Sequence, residues 1–103
     1  MNPRELAADL VARDHRSVWH PYAPPEANPL YPVESASGVH LHLTDGRVLV
    51  DGMSSWWSAI HGYRHPAIEA ALHDQLSRLP HVMFGGLTHE PAVRLCERLI
   101  ALT

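Results

Sequence analysis

Residues 20–32 read HPYAPPEANPLYP, and five prolines in thirteen positions constrain this chain more than any other stretch. Each proline locks its own φ, removes a backbone donor and pushes the residue before it out of the helical region. Neither a helix nor a central strand survives that density, so the stretch predicts an extended, irregular arm. The regular structure must lie on either side of it.

On the N-terminal side, Asn2-Pro3-Arg4-Glu5 has the form of a helix start. Asn is a capping residue, Pro suits the first helical position, and Glu follows three residues after the cap. The helix is expected to reach about Arg16, with Leu6 and Leu10 as a weak apolar stripe. On the C-terminal side, residues Val33 to Asp51 carry the clearest β pattern. Val39, Leu41 and Leu43 alternate with His40, His42 and Thr44. Asp45-Gly46 then supplies a tight turn, and Val48-Leu49-Val50 returns. Ser37-Gly38 suggests an earlier turn, so a small antiparallel meander is predicted. Pro66 opens a second helix to about Leu79, with Ile68, Leu72, Leu76 and Leu79 along one stripe and Pro80 as its stop. His81 to Gly86 reads as a loop. A third helix runs from about His89 towards Leu102, with Val93, Cys96, Leu99 and Ile100 on one face and Pro91 tolerated in the first turn.

A length of 103 residues suits one small domain, and hydrophobic residues at 46% against 18% charged describe a chain that buries much of itself. A formal net charge of −3 offers no electrostatic reason to expect nucleic acid or an anionic membrane. The N-terminus carries Glu5, Asp9 and Asp14 and has no apolar core of a signal peptide. No apolar run approaches the ~20 residues of a membrane helix. Cytoplasmic is the expected location, and Cys96, the single cysteine, asks for no oxidising compartment. The last helix meets no terminating glycine or proline, as expected if the sequence stops within a domain. There is no lysine; all eight basic residues are arginines. The chain cannot form a Schiff base through a lysine side chain.

The nine histidines raise the question of a metal. His40 and His42 share a strand face, and His61 and His65 stand four apart, but Gly62 and Pro66 oppose a helix that would join the second pair. No acidic or thiol ligand completes a familiar zinc spacing, and no metal is expected. Cys96, on an apolar stripe without a histidine nearby in sequence, is expected to be a small buried hydrophobe. Gly85-Gly86 lacks the pattern of a phosphate loop and reads as a turn. The aromatic residues are more informative. Trp56 and Trp57 follow the hairpin in the string DGMSSWWSAIHGYRHP, and adjacent side chains do not share one packing face. Gly52, Ser54 and Ser55 disfavour regular structure, which puts the pair on a loop at the end of the sheet. Such a loop lines either a ligand pocket or a subunit interface, because both are enriched in large aromatics.

Three strings taken in order carry a resemblance: HPY at residues 20–22, DGMSSWW-x-AIHGY-x-HP from Asp51, and HVMFGGLTH-x-PA from His81. They resemble the N-terminal region of the 7,8-diaminopelargonate synthase family, within the class III pyridoxal-phosphate transaminases. The likeness covers essentially the whole chain but only about the first quarter of a family member. It implies an α/β, fold-type I transaminase of which this is the N-terminal portion. Residues 1–65 would supply the irregular arm and hairpin of the small domain, and residues 66–103 the helices leading into the large domain. It implies a homodimer using pyridoxal 5′-phosphate, with S-adenosylmethionine as amino donor and 8-amino-7-oxononanoate as acceptor, in biotin synthesis. By the same resemblance Trp56, Trp57, Tyr22 and Pro21 bind substrate, and Met83 and Gly85 approach the pocket of the opposite subunit. No catalytic residue falls within the chain, since the family's cofactor lysine lies downstream. The chain alone is therefore expected to be inactive. The alternatives are another class III transaminase, separated by the donor it uses, and a non-catalytic binding or oligomerising module, which would fold cooperatively by itself.

Overall fold

The computed structural model describes residues 1–24 and 29–103. The expectation of an irregular arm is met where it can be followed, and its middle, residues 25–28, lies outside the described residues. The elements in order are α1 (Pro3–Ser17), β1 (Val33–Ser37), β2 (His40–Leu43), β3 (Val48–Val50), α2 (Pro66–Arg78) and α3 (Glu90–Leu102). Three helices and a small sheet make the expected α/β chain. They fall into two compact units, Met1–Pro66 and Ala67–Thr103.

In the first unit α1 starts where its cap predicts. The Asn2 side chain accepts the Glu5 N–H at 3.0 Å, and the Glu5 carboxylate accepts the Asn2 N–H at 2.7 Å. This reciprocal pair satisfies two donors that every helix start leaves free. Leu6 and Leu10 stay exposed, and Ala7 is the helix residue that is buried. Past the helix, His20 Nε2 lies 2.7 Å from an Asp14 carboxylate oxygen, anchoring the start of the arm.

The strands form an antiparallel meander in the order β1-β2-β3, with Leu41 opposite Leu49 and His42 opposite Val48. Among the described residues Leu43 is the best-buried side chain, at 2% exposure. The β2–β3 connection is a three-residue loop rather than a two-residue turn. The Gly46 N–H donates to the Leu43 carbonyl at 2.9 Å, and the Leu43 N–H to the Arg47 carbonyl at 2.8 Å. Gly46 takes φ +90°, a position this loop type reserves for glycine. Asp45 braces the loop by accepting from the Arg47 backbone at 3.1 Å and its guanidinium at 2.8 Å. That pairing holds the Asp45 carboxyl below the ordinary aspartate range.

Beyond the strands, Gly38 and Tyr63 exchange both backbone hydrogen bonds, at 3.0 and 2.8 Å. Gly62 makes this approach possible. Its φ is +78°, and a Cβ there would stand 2.9 Å from the Gly38 carbonyl oxygen.

The second unit contains α2 after its first residue, and α3. The Gln75 side chain donates to the Leu79 carbonyl at 2.8 Å, closing α2 just before Pro80. His89 caps α3, its Nδ1 accepting the Ala92 N–H at 3.4 Å. Neither helix buries a residue. Cys96 is accordingly exposed, which corrects the expectation of a buried hydrophobe. Its stripe exists, but Leu99 and Ile100 are exposed with it and leave it no interior to enter. Among the described residues, no helix is long and apolar enough to cross a membrane, and no group of three His, Cys, Asp or Glu side chains is placed to hold a metal ion.

Candidate functional site

The tryptophans sit in a backbone conformation that their sequence does not advertise. Ser54, Ser55, Trp56 and Trp57 all have positive φ, at 49°, 46°, 56° and 70°. The Trp57 N–H donates to the Met53 carbonyl at 3.0 Å and the Ala59 N–H to the Ser54 carbonyl at 2.9 Å, closing one left-handed turn. For L-residues each such conformation costs about 1–2 kcal/mol, so four in a row cost on the order of 4–8 kcal/mol. Something must offset that.

Asp51 does so. One carboxylate oxygen accepts the Met53 N–H at 3.0 Å, and the other accepts the Ser55 N–H at 2.7 Å and lies 3.5 Å from its hydroxyl. The Tyr63 hydroxyl donates to the same carboxylate and is in close hydrogen-bond contact with the Ser55 hydroxyl. Both anchors are tied to the strand region: the Asp51 N–H donates to the Val39 carbonyl at 2.8 Å, and Tyr63 bridges Gly38. Donation from Tyr63, followed by the backbone donors, holds the Asp51 carboxyl below the ordinary aspartate range against desolvation. The same bond to Asp51 pushes the Tyr63 phenol up.

The turn brings Trp56 to Tyr22. Their ring centroids are 5.4 Å apart with planes inclined at 48°, a tilted aromatic pair. Tyr22 also has a positive φ, 55°, in a turn where the Ala23 N–H reaches the His20 carbonyl at 3.4 Å. Pro21 lies beside it, exposed. Trp57 follows on the same turn and is largely exposed. Two residues from distant parts of the chain, Tyr22 and Trp56, thus make one aromatic surface. In the second unit Met83 folds over the backbone of Gly85, with its sulfur 3.9 Å from where a Cβ would stand. Phe84 stacks obliquely on His89 with centroids 5.1 Å apart. Sequence reasoning missed Asp51, Ser55 and Tyr63 as members of the site. The available signal was an Asp followed by small residues, a common start for a side-chain-stabilised turn.

Residues 21–103 match the family model for class III aminotransferases. The chain belongs to this family. It is similar to the adenosylmethionine-8-amino-7-oxononanoate aminotransferase of Corynebacterium glutamicum, 53% identical over 90 residues, covering 87% of this chain and 21% of that relative. The enzyme of the same name from Buchnera aphidicola is 52% identical over 91 residues, with the same coverage. Among solved structures, a Bacillus anthracis aminotransferase superposes with a TM-score of 0.81 at 30% identity, over 96% of this chain and 22% of that one. The chain thus spans about a fifth of the length of the relatives it matches.

Pyridoxal phosphate is the cofactor that such a resemblance implies. Enzymes of this chemistry hold its aldehyde as an imine on a lysine. This chain contains no lysine, and a guanidinium does not take that place. The residues present do not fit covalent attachment of the group.

Proposed function

We propose that this chain is the N-terminal, pocket-wall portion of a transaminase that moves the amino group of S-adenosylmethionine to 8-amino-7-oxononanoate, giving 7,8-diaminononanoate for biotin synthesis. The carrying observation is the Tyr22–Trp56 aromatic pair, which joins two segments far apart in the sequence and is held at 5.4 Å. The acceptor has a long apolar chain with polar ends. An indole buries such a chain and excludes water, while a phenol hydroxyl gives direction at a polar end. An exposed indole face also accommodates the cationic sulfonium of the donor.

In this reading Trp56, Tyr22, Trp57 and Pro21 contact substrate, and Met83 and Gly85 of one copy serve the pocket of its partner in a homodimer. Pyridoxal phosphate is attached in the complete enzyme to residues this sequence lacks. The chain by itself is inactive, and pyridoxal phosphate followed by borohydride leaves no side-chain adduct on it. The decisive experiment is Trp56→Ala in a complete enzyme carrying this chain, with both half-reactions followed separately. A loss of about ten- to hundredfold in kcat/KM for each substrate is expected. Unchanged kinetics for both would remove Trp56 from the pocket.

A further inference from the structure

The left-handed turn is the least expected backbone feature of the molecule. Handedness makes successive positive-φ residues unfavourable for any side chain, and none of the four is glycine. Strain of this kind persists where surrounding structure over-determines it, and it gathers at ligand sites. Here the surrounding structure can be named. Asp51 takes two backbone donors of the turn, from Met53 and Ser55, and the hydroxyl of Tyr63 twelve residues away. Tyr63 is held by its backbone exchange with Gly38, and Asp51 by its bond to the Val39 carbonyl. A continuous hydrogen-bonded path therefore runs from the strand region through Asp51 and Tyr63 to the turn, and from the turn to the ring that meets Tyr22.

We propose that Asp51, clasped by Tyr63, is the positioning residue of the substrate wall: it holds the left-handed turn and so sets the Trp56 ring against Tyr22. It touches no ligand itself. This rests on the reading of Tyr22 and Trp56 as pocket residues.

The chemistry specifies how each replacement fails. In Asp51→Asn the oxygen that accepts the Ser55 N–H at 2.7 Å becomes an amide N–H₂, or else the Met53 bond is lost. A backbone N–H cannot reverse its role, so one bond of the turn breaks in either orientation. Tyr63→Phe removes only the phenolic hydroxyl and spares both backbone bonds, which makes it the milder variant.

The test is a double-mutant cycle in the complete holoenzyme, with D51N, Y63F and W56A alone and D51N and Y63F each combined with W56A. Expected losses in kcat/KM for 8-amino-7-oxononanoate are about ten- to hundredfold for D51N and smaller for Y63F, carried mainly by KM. On the W56A background both should add almost nothing, because they act through the missing indole. An equal loss on both backgrounds would assign Asp51 a general structural role and overturn the proposal. So would a silent D51N beside a costly W56A. If D51N fails to fold, the Y63F arm decides by the same criterion. Fluorine NMR of fluorotryptophan-labelled enzyme, with the signal assigned by W56F, reads the ring directly. A moved Trp56 resonance in D51N or Y63F supports the clasp, and an unmoved one in both overturns it. Were W56A itself silent, the substrate reading would fail while this resonance still judged the clasp.

Discussion

Between Val33 and Tyr63 the backbone is tied by cross-strand bonds, by the Asp45 brace at the hairpin and by the Asp51–Tyr63 clasp. Between Ala67 and Leu102 two helices satisfy their own backbone but bury no residue. Leu72, Leu76, Leu95 and Leu99 are all more than half exposed. The contrast separates two sources of order. In the first region long-range polar bonds select a geometry that local preference would refuse. In the second, local propensity and the His89 cap of α3 favour helix, and no fully buried residue adds to it. Helices of 13 residues without packing are marginal in water, so the two regions should answer mutation differently.

The largest difference is expected at the ends of the burial scale. Leu43→Ala removes the best-buried side chain, at 2% exposure, and should cost about 2–5 kcal/mol in urea unfolding followed by tryptophan fluorescence. A cost near zero would mean that the meander is held without a core. Gly62→Ala comes next. The added methyl meets the Gly38 carbonyl at 2.9 Å in a positive-φ position, and a destabilisation of about 1–3 kcal/mol is expected. Gly52→Ala, with open space around it, is the control and should change little.

The clasp has a pH signature. Asp51 is depressed from 3.8, so its contribution is full above that value and is lost as pH falls through the lower folded value. Tyr63 is raised from 10.0, so its contribution is full below that value and is lost as pH rises through the higher folded one. Near-ultraviolet circular dichroism of the tryptophans should be flat between those limits and change beyond each. Tyr63→Phe should reduce the alkaline change. Asp45, also depressed by its Arg47 partner, adds to the acid limb, and comparing D51N with D45N separates the two. The smallest effect belongs to the second region. Leu72→Ala or Leu99→Ala should shift stability by less than about 0.5 kcal/mol, read by far-ultraviolet melting. A loss comparable to that of Leu43 would erase the contrast.

Much of the fold was legible because its signals are local. Asn2, Pro3 and Glu5 start α1; Pro66 opens α2 and Pro80 follows its end; His89 and Pro91 start α3. The alternation through Leu41 and Leu43 marks β2, and Asp45-Gly46 marks its hairpin. Cys96 was misplaced because a stripe shows which side chains share a face, not whether anything covers it. The candidate site was legible as a set of residue types and motifs but not as a geometry.

The sequence by itself determined where helices begin, which strands alternate, that no lysine is available and which family motifs are present, since each depends on residues close in sequence or on composition alone. Only the tertiary structure decided that Ser54 to Trp57 turn left-handed and that Trp56 meets Tyr22. Positive φ is disfavoured for every one of those residues taken singly. It is selected by hydrogen bonds to Asp51, by Tyr63 and by the Gly38 bridge, which exist only once distant parts of the chain have come together.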